Sequence, residues 1–108
     1  MPRLRAELWV RAYLRRCDVG NVYAAVSRRG DPGAGAIFIE CLHRDGADLW
    51  GPRTRVDGAR GFERLLGPVH PSKVAERLAN EAAFDGDLWV VTVEDRDGRA
   101  FLLDDERV

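Results

Sequence analysis

Two periods of apolar and polar residues succeed one another along this chain, and the switches between them mark its elements. From Leu4 to Cys17, apolar residues recur at helical spacing: Trp9, Ala12, Tyr13 and Cys17 form one series, Val10, Leu14 and Cys17 another. Arg11 and Arg15 share the opposite side, with Glu7 one turn before Arg11 as an ion-pair partner. A strand pattern competes there, because Leu8, Val10, Ala12 and Leu14 also alternate with Trp9, Arg11, Tyr13 and Arg15. Helix is the preferred reading, since the segment is rich in helix formers. The period then changes to two. Val22, Ala24 and Val26 alternate with Tyr23, Ala25 and Ser27, and Ala36 to Leu42 is the most apolar run of the chain. Arg44-Asp45-Gly46 reads as a hairpin turn leading into a returning strand that Pro52 ends. Residues 22–51 therefore predict a three-stranded meander. Arg53 to Gly61 reads as a mobile loop, and Phe62 to Leu66 as a short strand broken by Gly67-Pro68. Helical spacing returns over Pro71 to Phe84, with Pro71 in the first turn, Ser72 as cap and Gly86 past the end. Leu88 to Glu94 and Arg99 to Leu103, joined at Asp95-Arg96-Asp97-Gly98, predict a C-terminal hairpin. The polar residues Asp104 to Val108 predict a frayed tail.

These elements give one α+β domain spanning residues 1–108: a mostly antiparallel sheet of five or six strands with two packed helices, about 4–17 and 71–84. Composition agrees with a folded chain, at 45% hydrophobic and 32% charged residues. No apolar run is long enough to cross a bilayer, and no signal-peptide pattern precedes the first helix. The expected location is the cytoplasm, with no membrane partner. Two cysteines, Cys17 and Cys41, are too few for a disulfide framework and read as free thiols inside apolar patterns. The formal net charge of −1 hides an asymmetry, +4 over residues 1–60 and −5 over residues 61–108. Mixing of the two halves in the fold is the simplest account of that split.

Specific stretches repeat a known pattern. Glu7-Leu8-Trp9-Val10 with Leu14-Arg15-Arg16, then Arg28-Arg29-Gly30-Asp31-Pro32 and Ala34-Gly35-Ala36-Ile37-Phe38-Ile39, resemble the family termed domain of unknown function 1491. Leu49-Trp50-Gly51-Pro52, Asp87-Leu88-Trp89-Val90-Val91 and Glu94-Asp95-Arg96-Asp97-Gly98 extend the resemblance over nearly the whole chain. It implies a short bacterial single-domain protein, and it brings no catalytic residue to carry over.

The candidate chemistry is sparse. Cys41 and His43 fall on one side of a strand, about 6–7 Å apart at the backbone, which is long for a nucleophile–base pair. With Cys17 they make an incomplete zinc set. His70, just before the second helix, has the type of side chain that works as acid or base near neutral pH. The glycine-rich stretch Gly30 to Gly35 lacks the Gly-Lys-Ser/Thr of a phosphate loop and joins two predicted strands. Asp85/Asp87, Asp95/Asp97 and Asp104/Asp105/Glu106 lack the spacing of a calcium loop and belong to turn chemistry. No metal or cofactor is predicted.

The remaining signal is arginine interleaved with aromatics: Arg11, Tyr13, Arg15, Arg16, Arg28, Arg29, Trp50 and Arg53 form the candidate binding surface. Three functions follow, in order. The first is a non-catalytic binding or interaction module that associates with itself or with another protein. The second is a small nucleic-acid-associated factor using the arginine surface. The third is an enzyme whose site forms across a dimer from His43, His70 and Cys41.

Overall fold

The structure is a computed structural model and describes residues 3–108. The first predicted helix forms as α1, Ala6–Val19, and settles the contest with strand. Its stripe of Ala6, Trp9, Val10, Tyr13 and Cys17 is buried, and Arg11 pairs with Glu7 at 2.9 Å on the wet side. Arg5 offers no side-chain cap. The first free N–H groups instead reach the glycine-rich loop, where Ala6 donates to the Gly33 carbonyl and Glu7 to that of Pro32. The strands are β1 (Tyr23–Arg28), β2 (Ile37–His43), β3 (Gly46–Thr54), β4 (Arg60–Val69) and β5 (Trp89–Glu94), with α2 (Pro71–Phe84) between the last two.

The sheet order is β1-β5-β2-β3-β4, which corrects two expectations. Residues 22–51 are not a meander: β5 lies between β1 and β2, antiparallel to the first and parallel to the second. Apolarity on both faces explains this. In β5, Trp89, Val91 and Val93 point toward α1, while Leu88, just before the strand, and Val90 point toward α2. β2 does the same with Ile37 and Ile39 against Phe38. Strands apolar on both sides belong in the centre of a sheet covered on both faces. The C-terminal hairpin is absent as well. Residues 99–103 form no strand, and cross the α1 side of the sheet as an irregular strap.

Three boundaries also differ. β3 runs through Pro52 to Thr54, because β2 accompanies it only as far as the Ile39–Trp50 pair and the missing N–H deprives no neighbour there. The loop expected over Arg53 to Gly61 shrinks to a turn between Thr54 and Arg60, with the β3 end exposed from Pro52 to Thr54 and the β4 start buried from Arg60 to Phe62. β4 continues through Gly67-Pro68 to Val69, which an edge strand tolerates. The tail does not fray. Asp104–Glu106 is a turn of 3-10 helix, and Glu106 is buried. Its carboxylate accepts from Trp9 Nε1 (3.2 Å), Arg16 Nη1 (2.7 Å) and the Leu103 N–H (2.8 Å). Acidic residues in a row read as solvated; only the distant partners on α1 reveal the latch.

α1 and α2 pack on opposite faces, each over its own apolar cluster. Neither helix covers its whole face, and the uncovered parts hold the sheet's polar side chains.

Candidate functional site

The sequence-derived arginine surface is dispersed. Arg11 and Arg29 both bind Glu7, and the Arg29 guanidinium lies 5.2 Å from the Trp89 ring centroid. Arg28 donates to the Gly86 carbonyl at 3.2 Å, and Arg53 pairs with Glu63 at 3.0 Å. Arg15 is exposed. Tyr13 is fully buried, and its hydroxyl donates to the Ala100 carbonyl. Arg16 is half-buried on Glu106 and the Phe101 carbonyl. Only Trp50 of this set lines a substantial concavity.

That concavity is a groove of about 800 Å³ between the β3–β4 surface and the strap. Asp48, Trp50 and Arg64 form one wall; residues 98–102 and Arg107 form the other. A second lobe of about 440 Å³ shares Asp48, Arg64 and Gly98 with it and extends past His43 to Pro68.

Local sequence fixes the floor. Gly46 takes a φ of +128° in the β2–β3 turn, the expected hairpin glycine. The turn brings His43 back over Asp48. The Asp45 N–H donates to His43 Nδ1 at 3.2 Å, which places the ring proton on Nε2. Nε2 lies 3.3 Å from Asp48 Oδ2, close but without hydrogen-bond alignment, and both side chains are at least nine-tenths buried. Gly67, at φ +130°, sits directly against Asp48 Oδ1, where any Cβ would collide with the carboxylate.

Four buried side-chain polar atoms lack a hydrogen-bond partner among the described residues. Three of them, His43 Nε2, Asp48 Oδ1 and Trp50 Nε1, belong to residues lining this groove; the fourth is Arg60 Nη2. Such atoms are rare in folded proteins because each forfeits its hydration, at a cost of about 1–3 kcal/mol. Arg60 has another setting. It ties the Leu4 and Gly35 carbonyls together, and burial followed by the nearby Arg3 holds its guanidinium below the usual arginine range.

The strap is held from inside. Arg99, Ala100 and Phe101 carbonyls accept from Cys41 Sγ (3.5 Å), Tyr13 Oη and Arg16 Nη1 (2.7 Å) respectively. Phe101 has a φ of +54°, unusual for a bulky residue. Asp95 anchors the strap's start through Arg99; that hydrogen bond, outweighing burial, holds the Asp95 carboxyl below the usual range. Glu106 anchors its end. Burial alone raises a carboxyl, but the bonds from Arg16, Leu103 and Trp9 win, and Glu106 also lies below its ordinary value.

The enzyme candidates are not assembled. Burial, then Asp48, Asp95 and Cys17, push the Cys41 thiol up to about 12, which leaves it a poor nucleophile at neutral pH. Its partner-by-sequence, His43, faces Asp48. His70 caps α2, its Nδ1 accepting from the Ser72 N–H at 3.1 Å; the cap is His70 rather than Ser72. Among the described residues no group of three or more His, Cys, Asp or Glu side chains is placed to hold a metal ion. The glycine-rich loop is structural: Asp31 accepts from Gly33 and Ala34, and Gly30 and Gly35 pack on Trp89 and Asp87 without room for a Cβ.

Sequence reasoning missed Asp48, Arg64, Arg107 and the strap as a set. The one local signal was Asp48 itself, an acid between Ala47 and Leu49. Strand alternation sends it to the face opposite the α2 cluster, and nothing nearby tells that the strap covers that face.

Known proteins place this architecture. A DUF1491 family protein from Caulobacter crescentus CB15, solved as a crystal structure, is 32% identical over 97% of each chain with a TM-score of 0.84. An NMR structure of a DUF1491 family protein from the same organism is 34% identical, covering 97% of this chain and 96% of that one, with a TM-score of 0.83. A protein from A. tumefaciens solved in solution is 35% identical over 94% of this chain and 93% of its own, with a TM-score of 0.82. No curated protein matches. The family model described as "Protein of unknown function (DUF1491)" matches residues 4–103, so the chain belongs to the DUF1491 family.

Proposed function

We propose that this protein is a non-catalytic binding module whose ligand lies in the groove between β3–β4 and the strap. The observation that carries the reading is that three residues lining one groove, His43, Asp48 and Trp50, each hold a buried polar atom without a partner, Nε2, Oδ1 and Nε1 respectively. A ligand or a fixed water that pairs them recovers the hydration they have lost. The buried, neutral Cys41 and the use of His70 Nδ1 in the α2 cap favour binding over chemistry. The dispersal of Arg11, Arg28, Arg29 and Arg53 onto local partners takes weight from the nucleic-acid reading. Buried, unbridged Cys17 and Cys41 support work in the reducing cytoplasm. The test is a thermal-shift screen of small polar fragments on the native protein and on Trp50→Phe. Stabilising hits that lose their effect in the variant support the module; hits indifferent to Trp50 count against it.

A second reading, self-association, rests on β1. It is an edge strand with Tyr23 64% and Val26 38% exposed. Antiparallel pairing with a second copy sets the Tyr23–Glu94 end of one strand beside the Arg28 end of the other, opposite charges together. Light scattering on the native chain and on Ala25→Pro tests it: a dimer that the proline variant dissociates supports pairing, and a monomer at high concentration contradicts it.

A further inference from the structure

The geometry points to an oxyanion, carboxylate or phosphate, as the group that the groove recognises, held by the main chain of the strap. This inference rests on the binding-module reading and gives it a chemistry. The strap's carbonyls at Arg99, Ala100 and Phe101 are all used inward, by Cys41, Tyr13 and Arg16. Its N–H groups at Ala100, Phe101 and Leu102 bond to no described residue, although all three residues line the groove and Ala100 and Leu102 are buried. Backbone donors on buried residues are almost always paired, so the Ala100 and Leu102 N–H groups call for an acceptor, and that of half-buried Phe101 lies between them. Successive N–H groups around a left-handed residue are the backbone arrangement that binds anions, and Phe101 is such a residue. The conformation is unusual for phenylalanine and is held by fixed partners on both sides, Arg99 with Asp95 and Leu103 with Glu106.

Side chains add to the same sign. Of the five arginines that line the two lobes, Arg44, Arg99 and Arg107 are paired with Asp97, Asp95 and Asp104, and Arg64 and Arg96 make no ion pair with a described residue. Arg64 is exposed and makes no ion pair with a described residue. It lies across the groove from the strap and can close on an anion with bidentate geometry. The Trp50 indole N–H is a further unpaired donor. Donors thus outnumber acceptors, which selects an acceptor-rich ligand. The one acid on the floor, Asp48, is turned to His43 and Gly67.

The experiment is a backbone-amide and indole NMR titration of the full chain with inorganic phosphate, with acetate, and with a set of uncharged fragments. The expected result is saturable movement of the Ala100, Phe101 and Leu102 amides with one of the anions. Arg64→Ala is expected to weaken it by about tenfold, while Arg15→Ala, on the outer side of α1, leaves it unchanged. A preference for phosphate identifies a dianion, and a preference for acetate a carboxylate. If uncharged fragments move the Trp50 indole while neither anion moves the strap amides, the oxyanion assignment is wrong and the module reading stands. If nothing moves the Trp50 indole or the strap, both fall. Equal anion affinity in Arg64→Ala and the native chain also overturns the assignment.

Discussion

The sheet has two uncovered polar regions, and they differ in one respect. On the α2 side, Ser27 of β1, Thr92 of β5 and Glu40 of β2 lie side by side. They bond in a chain, Ser27 to Thr92 and Thr92 Oγ1 to Glu40 Oε1 at 3.0 Å. On the α1 side, His43, Asp48 and Trp50 lie on β2 and β3 under the strap, and each keeps a buried polar atom without a partner. The first region is a polar sheet surface that meets its own hydrogen-bonding needs. The second is a surface whose needs are left open by the protein. Polar residues on a sheet face therefore do not mark a site; unmet polar groups in a concavity do.

Loosening the strap is expected to break this contrast with the largest effect. Glu106→Ala removes a shared acceptor of Arg16, Trp9 and the Leu103 N–H, and leaves a half-buried guanidinium with the Phe101 carbonyl but no counter-charge. We expect a loss of about 3 kcal/mol in urea unfolding, and faster hydrogen exchange than in the native chain at the Leu103 N–H, whose acceptor is removed, with β5 unchanged. Gly67→Ala comes next. A Cβ there strikes Asp48 and must adopt a left-handed backbone, so we expect about 2 kcal/mol of destabilisation and a displaced His43–Asp48 contact. On the self-satisfied side, Thr92→Val breaks both bonds of the Ser27–Thr92–Glu40 chain, but Ser27 is exposed and Glu40 half-exposed, so water replaces them. The expected cost is below about 1 kcal/mol, with no change in ligand binding.

Acid provides a finer test of the strap. Asp95 and Glu106 both titrate below their ordinary values in the folded chain. A depressed carboxyl contributes stability that is present above its unfolded pKa and is lost as pH falls through its folded one. Stability is therefore expected to fall on acidification below the ordinary carboxylate range, and the Glu106→Gln variant is expected to show a shallower fall. An equally steep fall in that variant places the acid sensitivity elsewhere.

Much of the fold was legible in local pattern. Both helices and the β2–β3 hairpin with its Gly46 turn follow from spacing and turn chemistry alone, whereas the glycine-rich loop, which reads as a hairpin connection, links β1 and β2 across the intervening β5. What escaped was non-local. The insertion of β5 beside β2 depends on Leu88 and Val90 having a second helix to pack against, and period-two alternation reports one face at a time. The strap escaped because Arg99–Leu103 has a strand's composition but spends its carbonyls on Cys41, Tyr13 and Arg16 rather than on a ladder. The candidate site was the least legible part. Arginines drew attention because they are numerous, yet most of them are paired. In sequence Trp50 offers a ring for stacking, whereas its distinguishing feature in the fold is an N–H that meets no acceptor.

The three tryptophans offer the most direct measurement. Trp9 Nε1 donates to Glu106 and Trp89 Nε1 to the Asp31 carbonyl at 2.8 Å, while Trp50 Nε1 donates to no described residue. Their indole N–H resonances can be followed together during a titration with any ligand that stabilises the protein. The account predicts that the Trp50 resonance moves on binding and that those of Trp9 and Trp89 stay in place. A stabilising ligand that leaves Trp50 unmoved, or shifts all three alike, would contradict the assignment of the groove as the site.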